Sequence, residues 1–129
     1  MYPSDYLYSE EHEWIKVDGD VAVLGITDFA QKELGEVVYF EMPEVGESFA
    51  AGDEVGSIES VKAVSPVYTP VAGEVVEVNT AIDDSPEKVN DDPHGAGWLV
   101  KLRLSSSEEL EKLMSAEQYE AFLKEAEEG

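Results

Sequence analysis

Between Pro43 and Asn79 the chain never runs far without a corner. Glycines at 46, 52, 56 and 73 and prolines at 66 and 70 cut it into short pieces. The pieces "AGDEVGSIES", "AVSPVYTP" and "AGEVVEVN", bounded by these turn residues, read as short strands. No long helix can pass through such spacing, and many short strands with frequent turns fold as a small barrel or sandwich. The flanks fit a mainly β chain with helical additions. "EWIKV" (13–17) and "VAVLGI" (21–26) form a hairpin around the turn residues 18–20, and "EVVYFEM" (36–42) is a strand that Pro43 ends. Between them Thr27 caps a short helix through "DFAQKEL", and Gly35 stops it. Residues 80–97 read as a polar loop with one helical turn, and "WLVKLRL" (98–104) as a half-buried strand. The end is helical: Ser106 with Glu109 and Ser115 with Gln118 make capping boxes, and Leu110, Leu113, Met114, Tyr119, Phe122 and Leu123 recur at helical spacing.

Charge narrows the function classes. Thirty acidic residues stand against eight Lys plus Arg, a net charge of −22. That surface repels phosphate backbones and anionic headgroups, so neither nucleic acid nor membrane is an expected partner. Proteins that do dock on it are expected to bring basic patches. A hydrophobic fraction of 43% over 129 residues still supports one folded domain rather than disorder. With no cysteine there is no disulfide or thiolate chemistry, and His12 and His94 lack the spacing of metal ligands. The start, "MYPSDYLYSEEHEW", has neither a positive n-region nor an Arg-rich amphipathic pattern. The expected location is cytoplasmic, in a bacterium or archaeon, or the mitochondrial matrix if a presequence has been removed.

In so acidic a chain Lys62 is the only basic residue between Lys32 and Lys88. Gly52-Asp53-Glu54-Val55 lies ten residues before it and Gly73-Glu74-Val75-Val76 starts eleven after it. Both read as turns that open strands, which places Lys62 near the tip of a hairpin with arms at about 56–61 and 63–68. Three roles are open to it. It is a solvated turn residue, a catalytic amine, or an acceptor of covalent modification. A catalytic amine needs an apolar or cationic pocket to lower its pKa, and Glu59 and Ser65 flank this one. Modification suits the geometry, because an acylating enzyme needs an amine on a rigid projecting turn with small or unbranched neighbours such as Ser60 and Ala63.

The stretch "GDEVGSIESVKAVSPVYTPVAGEVVEVN" resembles the lipoyl-attachment hairpin of the glycine cleavage system H protein family. "EHEWIKVDGDVAVLGITDFAQKELGEVVYFEMPEVG" is similar to the family's N-terminal half, and "NDDPHGAGWLVKLRLSSSEELEKLMSAEQYEAFL" to its loop, last strand and C-terminal helix. The resemblance covers about residues 7 to 124. It implies a flattened barrel-sandwich hybrid, with a hammerhead-like core over about 20–104 and helices over about 106–126, and lipoate in amide linkage on Lys62. It also implies a carrier without turnover of its own. Its partners would be the pyridoxal-phosphate glycine decarboxylase (P protein), the tetrahydrofolate-dependent aminomethyltransferase (T protein), dihydrolipoyl dehydrogenase (L protein) and a lipoate-attaching enzyme. An aminomethyl group would pass from the first to the second, and the reduced dithiol would go to the third.

The same resemblance gives roles to further residues. Glu59, Val61, Ala63 and Gly73 would serve recognition by the lipoate-attaching enzyme; the competing readings are a solvated carboxylate at a strand edge for Glu59, with recognition favoured, and a turn glycine with positive φ for Gly73. Glu11, Glu13 and Phe29 belong to the blocks expected to line a cleft for the loaded arm. A carboxylate there would pair with the cargo's ammonium, an expectation that rests on charge alone. His94 departs from the family, where tyrosine is expected, and His12 reads as a surface residue. Trp14 and Trp98 read as packing. A lipoyl domain of a 2-oxo acid dehydrogenase usually has Asp before the lysine, and a biotin carrier has flanking methionines. Val61 and Ala63 fit neither. A lipoate-relay relative of the family and an unmodified acidic interaction protein complete the alternatives.

Overall fold

The computed structural model describes residues 2–105 and 108–128. Its strands form two antiparallel sheets. One has the order β1 (Leu7–Tyr8), β2 (Glu13–Asp18), β3 (Val21–Ile26), β9 (Val100–Leu104), β8 (Gly73–Val78) and β5 (Ser48–Phe49). The other is β4 (Val37–Glu41), β6 (Glu54–Ser60) and β7 (Val64–Tyr68), with β6 in the centre. No pairing among the described residues joins the two edge to edge.

Alternation along the strands aims one face of each sheet at a shared core. Ile15, Leu24, Val75 and Leu102 come from the larger sheet, and Phe40, Ile58 and Val67 from the smaller. The hairpin β2–β3 pairs from Glu13↔Ile26 to Asp18↔Val21, so its turn is Gly19-Asp20, with Gly19 at φ 66°. The expected helix is α1 (Asp28–Leu34). Thr27 Oγ1 accepts the Ala30 N–H at 3.3 Å, and Gly35, at φ 79°, donates its N–H to the Gln31 carbonyl at 3.0 Å.

A second, aromatic cluster seats the C-terminal helix α4 (Ala116–Glu128) on β1 and β2. Tyr119 stacks on Tyr8 with centroids 4.9 Å apart, and Trp14 donates its Nε1–H to the Pro93 carbonyl at 2.9 Å. The Ser115 box closes as expected. Gln118 N–H reaches Ser115 Oγ at 3.2 Å, and Ser115 N–H reaches Gln118 Oε1 at 2.9 Å. Ser106 lies outside the described residues; Glu109 accepts the Ala72 N–H at 2.9 Å.

Three expectations need correction. The loop 80–97 holds two short helices, α2 (Ala81–Asp84) and α3 (Glu87–Asp91), because each sinks one apolar residue, Ile82 or Val89, into the main core. The last strand begins at Val100 rather than Trp98. The Asn79 side-chain amide takes the carbonyls of Ala96 and Trp98 at 2.9 and 2.7 Å. The two Gly-acid segments around Lys62 are not equivalent. Gly52, at φ 91°, is an open turn, whereas Gly73 lies buried within β8 without a positive φ. A Cβ there would stand 2.6 Å from the Arg103 carbonyl oxygen, so close approach of β9 is what requires glycine.

A similar contact gives a stability test. A Cβ on Gly25 would stand 2.6 Å from the Trp14 indole, which is 1% exposed. Gly25→Ala is therefore expected to cost about 1–3 kcal/mol by overpacking, read as a lower urea midpoint with an unchanged slope.

Candidate functional site

The hairpin β6–β7 pairs from Glu54↔Tyr68 to Glu59↔Val64, and its tip is Val61-Lys62-Ala63. Ser60 organises the tip. Its N–H donates to the Ala63 carbonyl at 2.8 Å, and its Oγ accepts the N–H groups of Ala63 and Lys62 at 3.1 and 3.3 Å. The tip does not swing free. Val61 donates its N–H to the Glu36 carbonyl at 3.0 Å, which ties it to the corner that follows α1. Lys62 is exposed, and no described carboxylate forms an ion pair with it. Its stem lies over that corner: a Cβ built on Gly35 would stand 3.6 Å from Lys62 Cε.

From that corner a cleft of about 270 Å³ runs along α1. Phe29, Ala30, Glu33 and Leu34 of α1 form one wall, and Ile58, Ser65, Pro66 and Val67 of the lysine hairpin form the other. Glu11 and His12, between β1 and β2, and Glu13, the first residue of β2, line it as well. Leu34 to Phe29 covers about 8 Å of helix axis. Its lining mixes apolar side chains with the carboxylates of Glu11, Glu13 and Glu33.

Glu13 is the unusual group. It is 3% exposed, and its Oε1 accepts the Ser9 hydroxyl at 2.7 Å while Oε2 accepts the Tyr68 N–H at 3.1 Å. Burial pushes its pKa up to about 7, against the opposing pull of those two hydrogen bonds. With no cationic partner among the described residues, such a carboxyl is held near its titration point at neutral pH, where a cation beside it would favour the ionised form.

Glu11, Glu13 and Phe29 thus share one cleft, and Glu59, Val61 and Ala63 surround the lysine. Val61 and Val64, each 66% exposed, leave an apolar collar round it. Glu59 is exposed but not at an edge: β6 is the central strand, and Glu59 stands between Tyr39 and Val64. Gly73 is in the other sheet and is not brought to the hairpin. His12 is not a simple surface residue. It is half-buried at φ 68°, lines the cleft and packs on Phe29 at 4.6 Å. His94 Nε2 accepts the Asp28 N–H at 3.1 Å, at the N-terminus of α1. Burial lowers the pKa of both histidines, against nearby carboxylates that raise it. His12 stands between two predicted cleft glutamates in "EHE", a signal that could have found it. Nothing in the sequence points to its partner, Tyr119, 107 residues away.

Residues 6–126 match the family model described as glycine cleavage H-protein. The chain is 54% identical over 125 residues to a glycine cleavage system H protein of Carboxydothermus hydrogenoformans, covering 97% of this chain and 96% of that one. It is 55% identical over 125 residues to a protein of the same name from Rubrobacter xylanophilus, covering 97% of each. The crystal structure of a glycine cleavage system H protein from Mycobacterium marinum superposes with a TM-score of 0.87 at 38% identity, covering 95% of this chain and 99% of that one.

Glu13 sets a pH dependence whose sign is fixed. Its folded pKa of about 7 stands above the ordinary 4.5, so the folded state binds the proton more tightly. Stability from this group is full below about 4.5 and falls as pH rises to about 7. Denaturation curves are expected to show wild type losing about 2–3 kcal/mol relative to Glu13→Gln across that window. A constant difference between the two would mean that Glu13 ionises normally.

Proposed function

This chain belongs to the glycine cleavage H-protein family, and we propose that it is the lipoyl-lysine carrier of that system, with lipoate in amide linkage on Lys62. As a carrier component it takes an aminomethyl group from glycine decarboxylase, the pyridoxal-phosphate P protein, to the tetrahydrofolate-dependent aminomethyltransferase, the T protein. The reduced dithiol then goes to dihydrolipoyl dehydrogenase, the L protein. The bacterial relatives support a cytoplasmic site of action.

One observation carries this reading: an exposed lysine, without an ion-pair partner among the described residues, whose stem lies over Gly35, next to the cleft residue Leu34. The lining fits the group. The apolar side chains of Phe29, Ala30, Leu34 and Pro66 suit a pentanoyl chain, and the carboxylates of Glu11, Glu13 and Glu33 suit an ammonium at its far end. When bound, lipoate supplies the disulfide at which cargo is taken up and released; the chain contributes no thiol of its own.

The protein's residues supply the handling. Lys62 gives the amide nitrogen, and loss of its charge removes the penalty for laying the arm along an apolar wall. The Glu36 carbonyl holds Val61 and so aims the arm along α1. Glu13 loses its proton as a cation arrives and then pairs with it out of water, where the attraction is strongest. Covalent attachment keeps the arm at high effective concentration for each docked enzyme. The lipoate-attaching enzyme reads the exposed group Glu59, Val61 and Ala63, while buried Gly73 can act only through the strand it shapes.

In cells supplied with lipoate, intact mass is expected to show a lipoyl-sized gain that Lys62→Arg abolishes. With glycine decarboxylase added, glycine-dependent release of carbon dioxide should likewise require Lys62. Equal rates for wild type and Lys62→Arg reject the carrier role. An unmodified Lys62 under those conditions points instead to an acidic interaction protein.

A further inference from the structure

Helix α4 contributes nothing to the lining of the cleft, yet the Tyr119 hydroxyl reaches two residues that shape it. Tyr119 is fully buried, and its oxygen lies 2.8 Å from Thr27 Oγ1 and 2.8 Å from His12 Nδ1. The protons on this chain of atoms can be placed. The Ala30 N–H donates to Thr27 Oγ1 at 3.3 Å, so that oxygen is already an acceptor and its own proton must go elsewhere. Thr27 is itself fully buried, and Tyr119 is the acceptor beside it. A phenol carries one proton. Having accepted from Thr27, Tyr119 donates that proton to His12 Nδ1. The reverse order, with Nδ1–H donating to Tyr119 and Tyr119 to Thr27, strands the Thr27 proton in a buried site.

We propose that Tyr119 is a positioning residue which, through the relay Thr27→Tyr119→His12, fixes His12 as an uncharged imidazole protonated on Nε2 at the acidic part of the cleft. The main chain holds the ring there too. His12 donates its N–H to the Ser9 carbonyl at 3.1 Å and accepts the Thr27 N–H at 3.0 Å, which maintains its left-handed backbone. The groups facing the ring are Glu11 in its own turn, Glu33 and Phe29 on α1, and Tyr119 and Phe122 on α4, with Glu13 in the same cleft. Two of those carboxylates favour the charged imidazolium, while burial and the relay oppose it. Protonating Nδ1 would reverse the relay from end to end.

The consequence concerns the cargo. Glu11, Glu13 and Glu33 suit a primary ammonium group, and a charged His12 among them would compete for the same carboxylates. A neutral His12 leaves them to the cargo and offers its Nε2–H as a donor. The choice of cargo rests on the carrier reading above, whereas the placement of the protons does not.

Nitrogen-15 spectra of the full, unlipoylated chain read the tautomer directly. At neutral pH, His12 should show a protonated Nε2 and a bare Nδ1. In Tyr119→Phe, protonation no longer breaks the relay, so the His12 pKa should rise by about one unit and the Nδ1–H tautomer should become populated. Thr27→Ser keeps the hydroxyl and should behave as wild type. A wild-type His12 protonated on Nδ1 overturns the proposal, even if Tyr119→Phe fails to fold, and so does a Tyr119→Phe spectrum identical to wild type. Absence of lipoate on Lys62 would sink the carrier reading and leave this result standing.

Discussion

Helix α1 has seven residues, too few to persist alone in water. Distant parts of the chain hold both its ends. At the N-terminus Thr27 caps it while His94 accepts the Asp28 N–H. At the C-terminus Asn90, from α3, makes three bonds with one side chain. Its amide nitrogen donates to Gln31 Oε1 at 2.9 Å and to the Gly35 carbonyl at 2.8 Å, and its oxygen accepts the Val37 N–H at 2.8 Å. The cleft wall and the corner on which the Lys62 stem rests both depend on these anchors. Each is worth on the order of 1 kcal/mol, and together they replace the stability that a longer helix would have in itself.

Electrostatics divide the molecule in two. Over most of the surface carboxylates are solvated, and the ion pairs Lys101–Glu77 and Arg103–Glu74 bridge β8 and β9 at exposed positions where such pairs contribute little. Around α1 the pattern changes. A buried carboxyl is held near its titration point, and burial lowers the pKa of both histidines. His94 must accept at Nε2 there, because a backbone N–H can only donate. The histidine at position 94 thus has a structural use. An imidazole supplies the acceptor that α1 lacks at its first residue, while its own carbonyl takes the Tyr6 hydroxyl at 2.6 Å.

What was legible in the sequence followed from local chemistry. Thr27 and Gly35 bound α1 because capping and left-handed φ are properties of single residues, and the hairpin around Lys62 follows from alternation interrupted by turns. Family resemblance added Glu11, Glu13 and Phe29, which the fold gathers into one cleft. Long-range polar contacts were not legible. Asn90 reads as one more polar loop residue, and Tyr119 as one apolar position of an amphipathic helix. Gly73 reads as a turn because the approach of β9 to its α-carbon has no local signature. The loop 80–97 hid two helices because four or five residues are too few to show a period.

The bond from Val61 to Glu36 joins main-chain atoms only. A change of side chain at either position therefore leaves the amine in place. A change in loop length is another matter. One residue inserted or deleted between Leu34 and Val37, or between Ser60 and Val64, shifts the register of donor and acceptor and leaves the tip pointing elsewhere. Glu36 and Val61 can change side chain without moving the tip, whereas Gly35, at φ 79°, and the residue count of the corner cannot change freely.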